Sequence, residues 1–186
     1  MNQNQVLALV VVVIPVVAVA AIAFVTSRKR RSLKLRERFG PEYYRVLRQE
    51  GDARKAEGVL EFREKRREQF KIRLLSAADK SSFVDRWNEV QERFVDDPRG
   101  AVTVADALVT EVMQGRGYPI GEFEQRAADI SVDHPIVVES YRAGHEIAVR
   151  HSSGQASTED LRQAMVHYRV LFQELLEERQ IQRKGA

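Results

Sequence analysis

No cysteine occurs among the 186 residues of this chain. That absence excludes disulfides, thiolate metal sites and thiol catalysis, and it suits a reducing compartment. No segment sustains the apolar–polar alternation of a half-buried strand, so no sheet is expected. Metal-ligand spacing is also missing. His145-Glu146 begins like the zinc-protease signature, but Val149 stands where the second histidine is needed, and no Glu-x-x-His pair exists for a di-iron bundle. Neither metal nor cofactor is expected.

The longest absence is of charge. From Val6 to Val25 there is no ionisable side chain, only Val, Ala, Ile, Leu and Phe with one proline, Pro15. Twenty such residues at the helical rise span about 30 Å, the hydrocarbon thickness of a bilayer. Arg28, Lys29, Arg30 and Arg31 follow at once. A secretory signal would carry its positive charge before the apolar run, whereas Met1 to Gln5 carries no charged side chain. The expectation is an uncleaved transmembrane helix, N-terminus out and C-terminus in, with the basic stretch at the cytoplasmic leaflet touching anionic lipid. Without an ionisable group the span offers no route for ions or substrates, and Pro15 reads as a tolerated kink.

Charge beyond the span is unevenly distributed. Arg28 to Arg73 holds 17 Lys and Arg against 8 Asp and Glu, an excess of nine positive charges. Leu74 to the end holds 13 against 19, an excess of six negative charges. Four regions follow: residues 1–27 as tail and transmembrane helix, 28–75 as a basic juxtamembrane helical arm, 76–182 as an acidic helical domain, and 183–186 as a tail. Nucleic-acid binding by the arm is disfavoured, because seven glutamates from Glu37 to Glu68 make it a mixed-charge surface. Ala53 to about Lys71 has few apolar positions (Val59, Leu60, Phe62 and Phe70), so this helix is expected to be exposed or loosely docked.

The distal part reads as amphipathic helices. Phe83, Trp87, Val90 and Phe94 repeat at helical spacing up to Asp97-Pro98, which caps and starts the next helix. Ala101, Ala105, Leu108 and Val112 form the second seam, widened by Val102, Val109 and Met113, and Gly115 to Pro119 ends it. Phe123, Ala127 and Ile130 mark a short third helix, and Val138, Tyr141, His145 and Ala148 a fourth. Ser157 with Asp160 reads as a capping box before the seam Leu161, Met165, Tyr168, Phe172 and Leu175. The expected fold is all-α, a small bundle of four to five helices beyond the anchor.

No catalytic constellation emerges, so an enzyme is not expected. Gly115-Arg116-Gly117 follows a helix where a phosphate-cradling loop follows a strand. Ser131, Asp133 and His134 share a connector, which alone does not make their side chains converge.

Several stretches carry a resemblance: Leu35–Tyr43, Arg93–Pro98, Ala105–Val109, Val112–Pro119, Phe123–Pro135 and Asp160–Tyr168. Together they resemble a family of uncharacterised bacterial proteins, often with one N-terminal membrane segment. The resemblance implies a bacterial inner-membrane setting and no catalytic residue. The leading expectation is a single-pass protein whose cytoplasmic helical domain binds a protein partner or itself. Arg93, Asp96, Arg116, Tyr118, Asp133 and His134 are its candidate contact residues, at three helix boundaries. The alternatives are a small-ligand binder or enzyme using residues 131–145, and nucleic-acid binding by the arm.

Overall fold

The computed structural model describes residues 22–177. Residues 6–21 of the expected span and the tail 183–186 lie outside them. Among the described residues no helix is long and apolar enough to cross a membrane. Eight helices and no strand are present among those residues, so the all-α expectation holds. Contacts divide the chain into two units, 1–38 and 39–186.

In the first unit the described residues are helical, within α1 (residues 22–39). Ile22, Phe24 and Val25 are well exposed, as are Arg28, Lys29, Arg30 and Arg31.

The second unit contains α2 (Pro41–Glu50), α3 (Ala53–Glu68), α4 (Ala77–Asp96), α5 (Pro98–Arg116), α6 (Phe123–Ile130), α7 (Val138–Ser152) and α8 (Thr158–Leu176). Helix ends follow local chemistry. Asp52, Ser76, Asp97 and Ser157 each accept a backbone N–H of the first turn they cap. Ser157 and Asp160 form the reciprocal capping box. α5 ends in a Schellman closure, Gly117 N–H to Gln114 O at 2.9 Å and Tyr118 N–H to Met113 O at 3.0 Å. Gly117 sits at φ 95°, and a Cβ there would lie 2.4 Å from the Lys71 carbonyl oxygen. Only glycine fits this crossing, where the Arg73 N–H also meets the Arg116 carbonyl at 2.9 Å.

α5 is the central element, packed against α4, α7 and α8, while α7 pairs with α8. Its whole predicted seam is buried: Ala101, Val102, Ala105, Leu108, Val109, Val112 and Met113. Leu161, Met165, Tyr168, Phe172 and Leu175 of α8 face it with Trp87 and Val90 of α4. α7 differs from expectation. Its buried positions are Val138, Tyr141, Gly144 and Ile147, so His145 and Ala148 sit at the rim. The cause is Gly144, whose missing side chain lets the helices approach: a Cβ there would lie 3.3 Å from the His167 Cβ and 3.4 Å from the Tyr168 ring.

α2 and α3 form a hairpin turned by Gly51 at φ 67°. α3 is not loosely docked. It buries only Ala56 and Leu60, and leaves Phe62 exposed. Its arginines do the docking, as described next.

Candidate interaction surface

Arg63, Arg66 and Arg67 lie at i, i+3, i+4 on α3 and therefore share one face. Across from them, residues 129–133 leave α6 and present Asp129, Ser131 and Asp133. Arg66 forks onto Asp129, Nε to Oδ1 at 2.8 Å and Nη2 to Oδ2 at 3.3 Å. Gln125 Nε2 adds a donor to the same Oδ1 at 2.8 Å. Arg67 Nε donates to Asp133 Oδ2, as does the Tyr118 hydroxyl at 2.6 Å. Arg63 donates to Ser131 Oγ at 3.2 Å and to Glu42 Oε1 at 2.7 Å.

Glu42 is the second node. Its side chain is 2% exposed and takes Arg63 and, at 3.0 Å, Arg142 of α7, with Arg45 3.7 Å away. Arg142 also reaches the exposed Glu124 at 2.8 Å. Burial first, and then the neighbouring Arg142, hold the Arg45 pKa below its usual value. Part of the positive excess of the arm is thus neutralised by acids from α2, α6 and the α6–α7 connector. Buried charges paired this way specify how α3 docks where apolar area is too small to do so.

The six candidate contact residues fare unequally. Arg93 is exposed at the end of α4 and pairs with Asp97 at 2.7 Å, and Asp96 is exposed beside it. The other four are withdrawn from the surface. Arg116 is 2% exposed, and its Nε and Nη1 have no hydrogen-bond partner among the described residues. Tyr118 is buried, and its pKa is raised by burial and by the Asp133 carboxylate it donates to. The Asp133 side chain is 4% exposed inside the Arg67 pair. His134 is buried with Nδ1 3.1 Å from Glu174 Oε1.

His145 has different neighbours, stacking on Phe123 with centroids 3.5 Å apart and planes at 8°. Asp133, His134 and His145 are therefore each engaged by a separate set of residues. Among the described residues no group of three His, Asp or Glu side chains gathers to hold a metal ion.

His145 carries a pH prediction. Burial, as the largest cause, lowers its pKa below the usual 6.5. The unfolded chain then binds a proton that the folded chain refuses. Its contribution to stability is intact above about pH 6.5 and is lost as pH falls through the folded value. Urea midpoints of the wild type are expected to drop between about pH 7.5 and about pH 5.5. His145→Phe, which retains a ring against Phe123, is expected to show a smaller drop.

Among several depressions on the described surface, one has a largely apolar lining that spans two helices. α4 and α8 both pack on α5 and leave between them a groove of about 240 Å³. Trp87, Phe94, Met165 and Val166 line it with apolar surface, and Trp87 is held by stacking on Phe172 at 4.6 Å and 22°. Arg162, Arg169 and Gln91 complete the lining, without a carboxylate. Comparison with known protein families, curated proteins and solved structures returned no match. Trp87 and Met165 are buried, as their spacing implies, and the trough is rimmed by Phe94 and Val166, which are only half-buried. Val166 and Arg169, one and four residues beyond Met165, were the available signal of it in the sequence.

Proposed function

We propose that this is a single-pass membrane protein of the bacterial inner membrane, N-out and C-in, whose helical domain is a cytoplasmic interaction module. The carrying observation is the open apolar groove, on a domain whose most chemically versatile side chains are committed to internal pairs. Asp129, Asp133, Glu42 and His134 each meet a partner within the fold, and that supports a binding role over catalysis. The anchor reading is supported by the uncharged run Val6–Val25, by the exposure of Ile22, Phe24 and Val25 at its described end, and by the exposed Arg28, Lys29 and Arg30 beyond it. The bacterial setting rests on the resemblance of the Leu35–Tyr43 and Phe123–Pro135 stretches to a membrane-anchored family.

Topology tests the anchor. A reporter that matures only in the cytoplasm, fused after Ala186, is expected to be active, and the fusion is expected to stay with membranes through an alkaline wash. Activity from an export-dependent reporter at the same position, or release by the wash, would overturn the reading.

A further inference from the structure

We propose that the α4–α8 groove receives an acidic amphipathic helix of a partner protein. The helix lays one bulky apolar side chain against the half-buried Phe94 and Val166, over the Trp87–Met165 floor, and sets an Asp or Glu side chain against Arg169. This inference rests on the interaction reading and gives the partner its chemistry.

Size points away from a small molecule. About 240 Å³ falls short of the 300–1,000 Å³ typical of ligand pockets. A shallow apolar channel between two helices is the geometry that takes the apolar face of a third, with anchors at helical spacing. The floor is rigid, because Trp87 is 5% and Met165 8% exposed and the Trp87 ring is fixed on Phe172.

Charge chooses among helices. From Leu74 onward the chain is acidic by six charges, yet both charged side chains lining this groove are arginines. The Arg162 charge is already met by a two-pronged bond to Glu159, at 2.6 and 2.8 Å, which leaves Arg169 as the cation open to a partner. Arg169 is exposed and has no ion-pair partner among the described residues. A guanidinium beside an apolar floor matches a carboxylate in two-pronged geometry, and it repels a basic segment. Two cations are too few for a nucleic-acid track.

The test uses the full chain in mild detergent and a displayed library of random peptides of about 16 residues, long enough for four helical turns. Recovered peptides are expected to combine a Leu, Met or aromatic anchor with Asp or Glu at i±3 or i±4. Arg169→Glu, at an exposed position, is expected to weaken their binding by about tenfold or more. Changing the peptide carboxylates to lysine is expected to restore binding to that variant. Helical content measured alongside verifies that each variant is folded.

Recovery of no peptides, recovery without acidic enrichment, or affinities unchanged by Arg169→Glu would overturn the proposal. So would self-association of the wild type that Arg169→Glu abolishes, since the groove would then belong to a second copy. The interaction reading itself fails separately, if nothing contacts the groove in the native membrane.

Discussion

Glu42→Ala is expected to destabilise the protein by about 3–5 kcal/mol, the cost of removing one partner from a buried ion cluster. Glu42 meets Arg63 at 2.7 Å and Arg142 at 3.0 Å, and these side chains are only 12% and 11% exposed. Without the carboxylate, two guanidiniums stay in the interior. Arg63 retains only the Ser131 hydroxyl, and Arg142 only the exposed Glu124. Glu42 also stands in the first turn of α2, where a negative charge offsets the helix dipole. Glu42→Gln keeps shape and one acceptor, so a smaller loss is expected. The double variant Glu42→Met with Arg63→Met removes acid and base together and is expected to be milder than Glu42→Ala. Equilibrium urea unfolding ranks these variants, and adding the single variants Glu42→Met and Arg63→Met closes the cycle that gives the coupling energy. Equal losses in the single and double variants would mean that the cluster is not what holds α2, α3 and α7 together.

The second large effect is asymmetric. Arg66→Ala is expected to cost about 3 kcal/mol or more, and Asp129→Ala less, about 1–3 kcal/mol. The pair is the same, but its members are buried differently. The Asp129 side chain is 2% exposed and that of Arg66 33% exposed. Removing Arg66 strands a buried carboxylate with only the neutral Gln125 amide to serve it. Removing Asp129 frees an arginine that already borders water. Arg66→Lys is expected to recover part of the loss, since a single ammonium replaces the two-pronged contact. Chemical unfolding ranks the three variants, and Asp129→Ala costing more than Arg66→Ala would contradict the burial argument.

Periodicity made the middle of the fold legible. The α5 seam and the α8 seam are buried as read, and Asp97 and Ser157 sit at the helix ends their chemistry implied. Two things were not legible, for physical reasons. Gly144 has no side chain to register in an apolar pattern, yet its absent Cβ sets the α7–α8 contact and turns His145 to the rim. α3 carries its docking information in charge. Arg63, Arg66 and Arg67 resemble any solvated basic stripe until their partners are known, and apart from Glu42 those partners lie more than sixty residues away. Pattern reading weighs apolar area and so gives α3 as exposed or loosely docked, while its ion pairs fasten it to residues 129–133. The uneven charge of the two halves was the visible trace of this pairing.

The candidate contact residues illustrate the same limit. Arg116, Tyr118, Asp133 and His134 sit at helix boundaries, where a sequence suggests accessible loops. In the fold those boundaries turn inward: Tyr118 bonds to Asp133, Asp133 also takes Arg67 of α3, and His134 meets Glu174 of α8. The groove shows the reverse case: Phe94 reads as core, yet it is only half-buried where it lines the trough.

The central claim is that a membrane-held helical domain engages another polypeptide through the α4–α8 groove. A photoreactive benzophenone side chain placed at position 166 of the full chain, in the cell that makes it, tests that most directly. The expected result is a light-dependent adduct with one acidic partner in the membrane fraction, lost with Arg169→Glu and not given by the same probe at position 146. No adduct from position 166, or the same adduct from both positions and undiminished by Arg169→Glu, would contradict the account.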